Sequence, residues 1–186
     1  LEVSRIVQGK GAAKPEKLQL AVLVERSVEA SAPRLGAREQ ALDIVLPKEQ
    51  VEIDAGAVRL SQVLSNLINN PSKFSPPGSR IHLEACFADG ELQIAVRDEG
   101  AGIAADFLPH MFDLFAQADQ SLDRSQGGLG IGLTLVKHLV ELHGGRVWAA
   151  SEGLGRGAQV TVALPAHLST GAAIPAQPQP EAGLRA

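Results

Sequence analysis

The sequence predicts a two-layer α/β sandwich, with one mixed, mostly antiparallel sheet and helices on one face. Three observations carry this. Ile81, Leu83, Ala85 and Phe87 alternate with His82, Glu84 and Cys86, and a second run, Glu91–Arg97, follows the turn signal Ala88-Asp89-Gly90, so the two read as a hairpin. Ala57–Asn70 places Val58, Leu60, Val63, Leu64, Leu67 and Ile68 at a helical period. Hairpins and helices then follow one another in an order that suits one sheet covered by helices.

Taken in order, Leu18-Gln19-Leu20 reads as a short strand. Ala21 to about Ala37 reads as a helix with Val24, Val28 and Leu35 on one face, kinked or ended early by Pro33. Ala41–Leu46 and Val51–Asp54 read as strands, and Ala57–Asn70 as the second helix. Residues 104–129 are irregular and carry two Phe-centred patches. Ile131–His143 reads as a helix closed by Gly144-Gly145. Arg146–Ser151 and Ala158–Leu164 form a last hairpin. Residues 1–16 read as a helix end and linker, 17–166 as one domain, and 167–186, rich in Ala, Pro and Gln, as a disordered tail or linker. There is no internal repeat.

Composition narrows the function. The 186 residues suffice for one cored domain, and the 45% hydrophobic content is ordinary for a globular protein. With five Phe, one Trp and no Tyr, the core must be aliphatic. A net charge of -4 with interspersed signs argues against a nucleic-acid binder, which carries a basic stripe. The single Cys86 excludes an internal disulfide, and its alternating context makes it a strand residue rather than a reactive thiol. No apolar run is long enough to span a membrane, and no signal peptide is visible, so a cytoplasmic location without direct membrane contact is expected, whatever anchors a parent protein.

Four segments carry chemistry. In Asn66-Leu67-Ile68-Asn69-Asn70-Pro71-Ser72-Lys73-Phe74, Asn66 and Asn70 are one helical turn apart and share a face. Their carboxamide oxygens suit Mg²⁺ beside phosphate oxygens, and Lys73 adds a point charge for phosphate. The same residues alone fit an amphipathic helix with a wet polar face. In Asp98-Glu99-Gly100-Ala101-Gly102-Ile103, a carboxylate at a strand end can accept a hydrogen bond from an adenine amino group, and the glycines let backbone approach the base. A plain acidic turn is the competing reading. Gly127-Gly128-Leu129-Gly130-Ile131-Gly132-Leu133 opens a helix and can cradle phosphate, or be a flexible loop; it has neither Walker nor dinucleotide spacing. Gly153-Leu154-Gly155-Arg156-Gly157 alone is a hairpin turn.

Together, in this order and spacing, the four resemble the catalytic domain of sensor histidine kinases, within the superfamily of gyrase, the Hsp90 chaperones and MutL. The resemblance covers roughly residues 16–165 and is specific as an ensemble. The family's asparagine box matches Arg59–Ser75. Its first glycine box matches Asp98–Ile103, its phenylalanine box Met111–Gln117, its second glycine box Gly128–Leu133, and its third Gly155–Gly157. Val3-Ser4-Arg5-Ile6 looks like the end of the family's second dimerisation helix.

The resemblance implies a Bergerat-type fold with a flexible ATP lid, and it assigns roles by position. Asn70 ligates Mg²⁺, Asn66 supports metal and phosphates, and Lys73 contacts phosphate. Asp98 binds the adenine amino group, with Gly100, Gly102 and Ile103 flanking the base. Gly128, Leu129, Gly130, Ile131, Gly132 and Leu133 wrap the phosphates. Phe112 and Phe115 belong to the lid or pack beneath it, and Arg124 reaches the γ-phosphate. ATP and Mg²⁺ are the implied cofactors. The implied partners are the dimerisation and phosphoacceptor helices of the parent protein and the receiver domain of a response regulator.

An amide at Asn66, where the ATP-hydrolysing relatives carry a glutamate base, shifts the expectation from hydrolysis to phosphoryl transfer. Two alternatives belong to other classes: a nucleotide-binding interaction module without transfer activity, and an ATP-hydrolysing conformational clamp. The sequence departs from the family in two ways. None of His82, His110, His138, His143 and His167 has the acceptor's flanking pattern, so the chain alone should not autophosphorylate. Pro71 stands where the family has a small residue. It predicts a kink or early helix end costing about 3 kcal/mol, and weaker Mg·ATP binding through Asn70.

Overall fold

The computed structural model describes residues 16–114, 116 and 131–169. Strand β1 (Glu16–Gln19) leads into helix α1 (Leu20–Ala37), and β2 (Ala41–Val45), β3 (Val51–Ala55) and α2 (Ala57–Phe74) follow. Next come β4 (Arg80–Ala88), β5 (Glu91–Asp98), a 3-10 turn at Leu108–His110, α3 (Gly132–Leu142), β6 (Arg146–Ala150), β7 (Ala158–Pro165) and β8 (His167–Leu168).

The strands form two sheets rather than the one expected. A five-stranded sheet runs β2-β4-β5-β7-β6, with β2 parallel to β4 and every other pair antiparallel. A small antiparallel sheet runs β1-β3-β8. Pro165, with no N–H to donate, ends β7. The chain then crosses to β3, where Glu52 pairs with His167 and Val51 with Leu168. Ser169 Oγ, just beyond this pair, donates to Glu52 Oε1 at 2.8 Å.

Helices cover one face of the large sheet. Ile81 and Leu83 of β4, Leu92, Ile94 and Val96 of β5, and Val162 and Leu164 of β7 point at them, all at most 2% exposed. From α2 come Leu60, Val63, Leu64, Leu67 and Ile68, and from α3 Val136, Leu139 and Val140. This is the aliphatic core that the scarcity of aromatics requires. Val58 belongs to the helical period but stands 82% exposed, one step off the buried stripe. At the β4–β5 turn Asp89 and Gly90 both have positive φ (52° and 78°), the geometry of a two-residue type I′ hairpin.

Pro33 neither breaks nor shortens α1, which runs on to Ala37. Pro33 and Glu29 are both exposed, so water can satisfy the carbonyl that loses its helical donor. On the opposite face Ser27 and Ser31 are fully buried, and their hydroxyls donate to the carbonyls of Leu23 (2.8 Å) and Ser27 (2.9 Å). Gly36 has no atom within 4 Å of where a Cβ would stand and has no positive φ. Gly36→Ala is therefore expected to stabilise the domain by about 0.5 kcal/mol, read as a higher urea midpoint at unchanged slope.

Pro71 does not end α2 either. The helix continues to Phe74, with Ser75 N–H donating to Pro71 C=O at 2.9 Å. Unlike Pro33, Pro71 is buried, and so is Leu67, whose carbonyl loses its donor. Something other than water must hold the last turn.

Candidate nucleotide site

The C-terminal half of α2 presents Asn66, Asn69, Asn70 and Lys73 within a stripe of about 100° at helical spacing. Asn69 Oδ1 is buried and has no hydrogen-bond partner. Asn66 faces the start of α3: a Cβ on Gly132 would lie 3.7 Å from Asn66 Oδ1. The first asparagine and the last glycine of the predicted cradle thus meet across the α2–α3 junction. At the far end of that pair, His143 clips the helices together. Its Nε2 accepts from Gly56 N–H at 3.4 Å, and its Nδ1 bonds Leu139 C=O at 2.7 Å.

Lys73 Nζ lies over the Phe74 ring at 4.7 Å. Burial, and then the Arg34 guanidinium beside it, push its pKa below the usual lysine value. No acidic group among the described residues forms an ion pair with it. Two cations brought close without a carboxylate between them suit an anion.

Asp98 ends β5 and is only 8% exposed. Its Oδ1 accepts from Gly100 N–H at 2.7 Å and from Ser75 O–H at 3.3 Å, and Ala158 N–H adds a third bond to the carboxylate. These bonds favour the charged form, yet burial outweighs them and the pKa lies above the ordinary aspartate value. The loop that follows is threaded between two backbones. Ala101 N–H donates to Phe74 C=O (3.2 Å), Gly155 N–H to Ala101 C=O (2.7 Å) and Gly157 N–H to Gly100 C=O (3.2 Å). Gly102 has φ +68°, and a Cβ there would stand 2.0 Å from Gly153 O; at Gly157, with φ +69°, one would stand 2.0 Å from Asp98 O. The third glycine segment is therefore more than a hairpin turn: it is the wall behind Asp98–Ile103. The Ser151 hydroxyl knits the two, donating to Gly157 C=O at 2.6 Å and accepting from Ile103 N–H at 3.0 Å.

Phe112 packs against the core beside the buried Met111, and Thr134 Oγ1 donates to Asp113 C=O at 2.8 Å, tying the phenylalanine segment to the first turn of α3. Ile131 and Leu133 flank Gly132 at that helix start. Phe115, Arg124, Gly128, Leu129 and Gly130 lie outside the described residues, as do residues 117–127 of the expected lid.

The structure thus brings Asn66 to Gly132, and Asp98, Gly100, Gly102 and Ile103 to the third glycine segment. Sequence reasoning missed Arg34, Gln40, Ser75 and Ser151. Only Ser75 carried a signal, as the residue after Lys73-Phe74; the others acquire their contacts through tertiary packing. A shallow cavity of about 390 Å³ lined by Asp43, His82, Arg97 and Glu99 lies on the open face of the five-stranded sheet and contains none of the predicted site residues.

A buried strand-end carboxylate, two interlocked glycine segments and an asparagine-bearing helix define a nucleotide-binding domain of the ATPase kind. The family described as histidine kinase-, DNA gyrase B-, and HSP90-like ATPase matches residues 55–168, more than half of the sequence, and the chain belongs to it. Its relatives are sensor kinases. It is 35% identical over 132 residues to the sensor histidine kinase WalK of Bacillus subtilis, covering 69% of this chain and 21% of WalK. It is 34% identical over 157 residues to the adaptive-response sensory kinase SasA of Synechococcus elongatus, covering 84% of this chain and 40% of SasA. The chain thus spans less than half the length of either.

Among solved structures, full-length ShkA in complex with AMPPNP superposes with a TM-score of 0.73 at 28% identity, over 92% of this chain and 35% of ShkA. The mycobacterial sensor histidine kinase MprB superposes with a TM-score of 0.72 over 83% of this chain and 99% of that one; at 23% identity it shows the shared fold. The chain is an ATP-binding domain of the histidine-kinase type. No helix among the described residues is long and apolar enough to cross a membrane.

Proposed function

We propose that this domain binds Mg·ATP and presents the γ-phosphate to a histidine on a separate dimerisation domain, from which the phosphate passes to an aspartate of a receiver domain. The observation that carries the reading is Asn66, a carboxamide facing Gly132 at the α2–α3 junction. A carboxamide does not accept a proton from water at neutral pH, so the residue supports binding and positioning rather than hydrolysis.

The donor set fits the cofactors. Asn70 offers a hard, neutral oxygen of the kind Mg²⁺ takes, and the orphaned Asn69 Oδ1 is a further acceptor on the same stripe. Mg²⁺, when bound, neutralises charge on the β- and γ-phosphate oxygens. Asp98 accepts a hydrogen bond from the adenine amino group, held for this by Gly100 N–H and Ser75 O–H. Gly100 and Gly102 let the loop beside the base lie tight against its neighbours, since a Cβ at Gly100 would meet Phe74 O and one at Gly102 would meet Gly153 O. Lys73, with Arg34 nearby, attracts the phosphates, and the sequence resemblance assigns Gly128, Gly130 and Gly132 to the phosphates and Arg124 to the γ-phosphate. The chain's contribution is positioning and charge, and the phosphoacceptor comes from outside it.

Calorimetric titration with a non-hydrolysable ATP analogue tests this. Binding should tighten with Mg²⁺, and Asn70→Ala should abolish that tightening while leaving Mg²⁺-free binding within about threefold. Absence of binding in both conditions would remove the kinase reading, and steady ATP turnover by the fragment would favour a clamp.

A further inference from the structure

We infer that Gln40 is a positioning residue: a buried latch that holds the last turn of α2, and with it Lys73 and Ser75, in place beyond Pro71. The role in nucleotide binding rests on the function proposed above; the structural role does not.

The problem arises at Pro71. Without an N–H it leaves Leu67 C=O short of its helical donor, in a buried stretch where water is excluded. A single turn beyond such a break has few bonds of its own to keep it helical. Yet that turn carries Lys73 and leads into Ser75, whose hydroxyl donates to Asp98.

Gln40 supplies the missing hold from across the molecule. It sits between α1 and β2, where Glu39 takes a positive φ of 54° and the chain turns inward. The side chain is 8% exposed, and both ends of its carboxamide are hydrogen-bonded. Oε1 accepts from Ser72 O–H at 2.6 Å, on the turn just past the proline. Nε2 shares its two N–H groups among three acceptors, Pro76 C=O (3.0 Å), Ser79 Oγ (3.2 Å) and Ser75 C=O (3.3 Å). One carboxamide thus grips both the last helical turn and the chain leaving it. Backbone bonds anchor the latch itself: Gln40 N–H donates to Leu35 C=O (3.0 Å), Ala41 N–H to Ser79 C=O (3.1 Å) and Gly78 N–H to Arg38 C=O (2.9 Å). Arg38 Nη2 adds a bond to Ser75 C=O at 2.9 Å. From Ser75 the path to the site is short: its hydroxyl meets Asp98 Oδ1, and the preceding carbonyl, Phe74 C=O, accepts Ala101 N–H in the first glycine segment.

If Gln40 compensates for Pro71, the two must be coupled. The test compares the wild-type chain, Gln40→Leu, Pro71→Ala and the double variant, with Ser72→Ala, alone and with Pro71→Ala, as a milder probe should Gln40→Leu not fold. The first readout needs no nucleotide: hydrogen exchange of the Ser75 and Ala101 amides. With Pro71 present, Gln40→Leu should speed their exchange about tenfold or more, and Ser72→Ala should act in the same direction; once the proline is removed by Pro71→Ala, either effect should shrink to about twofold. The second readout is affinity for a non-hydrolysable ATP analogue, expected to weaken about tenfold when Pro71 is kept and about twofold when Pro71→Ala is also present.

Equal losses in both backgrounds, or unchanged exchange at Ser75, would overturn the latch. Exchange that couples while affinity stays constant would confine Gln40 to a structural role and overturn its positioning role. A wild-type chain that binds no nucleotide but shows the exchange coupling would leave the latch standing and remove the functional reading instead.

Discussion

Asp98→Asn is expected to weaken ATP-analogue binding by at least about a hundredfold while leaving the fold intact. Three donors already aim at this carboxylate, from Gly100, Ser75 and Ala158, and an adenine amino group would add another. Asparagine presents one oxygen where aspartate presents two, and its NH₂ group would face a donor. Stability should move the other way. Burial holds the Asp98 pKa above its ordinary value, so the folded chain takes up this proton more readily than the unfolded chain does. The group's stabilising contribution is therefore fully present below the ordinary aspartate pKa and is lost as pH rises through the raised one. At neutral pH the buried charge is a burden that asparagine removes, and Tm should rise; the difference should close as pH falls and the wild-type carboxyl protonates. A Tm several degrees below wild type at neutral pH would show that the hydrogen bonds to the carboxylate outweigh its burial.

Gly102→Ala is expected to destabilise the domain by about 4 kcal/mol or more. Two terms add here: a φ of +68°, which an L side chain rarely adopts, and a Cβ placed 2.0 Å from Gly153 O, with Gly153 C and Gly155 N next at 3.0 and 3.1 Å. Those atoms are backbone, so no side chain can swing aside, and the third glycine segment would have to peel away from the first. Separation would break the bonds from Gly155 to Ala101 and from Gly157 to Gly100, taking the wall from behind Asp98. Urea unfolding measures the effect, with Gly36→Ala as the glycine replacement expected to have the opposite sign. A Gly102→Ala midpoint equal to wild type would mean that the two glycine segments are not in contact.

Much of this molecule was legible from its sequence because the relevant forces are local or periodic. The alternation in Ile81–Phe87, the spacing in α2, the Asp89-Gly90 turn and the glycine pair after α3 each encode an element by side-chain period or backbone freedom. The site's outline was legible for a related reason, since carboxamides at helical spacing and glycines after a strand are chemistry that a chain can announce without its fold. Where local rules failed, burial decided. Both internal prolines were expected to disturb their helices. α1 tolerates Pro33 because the affected carbonyl faces water, and α2 carries Pro71 where water cannot reach. The sequence by itself determined the elements, the aliphatic core and the residues that could meet a nucleotide. Only the tertiary structure decided that the strands divide into two sheets, that the last glycine turn backs the first, and that Gln40, Ser75 and Ser151 bond to segments distant in sequence. The physical reason is that a polar side chain gains its role from partners distant in sequence, and only burial, by excluding water, makes those partners necessary.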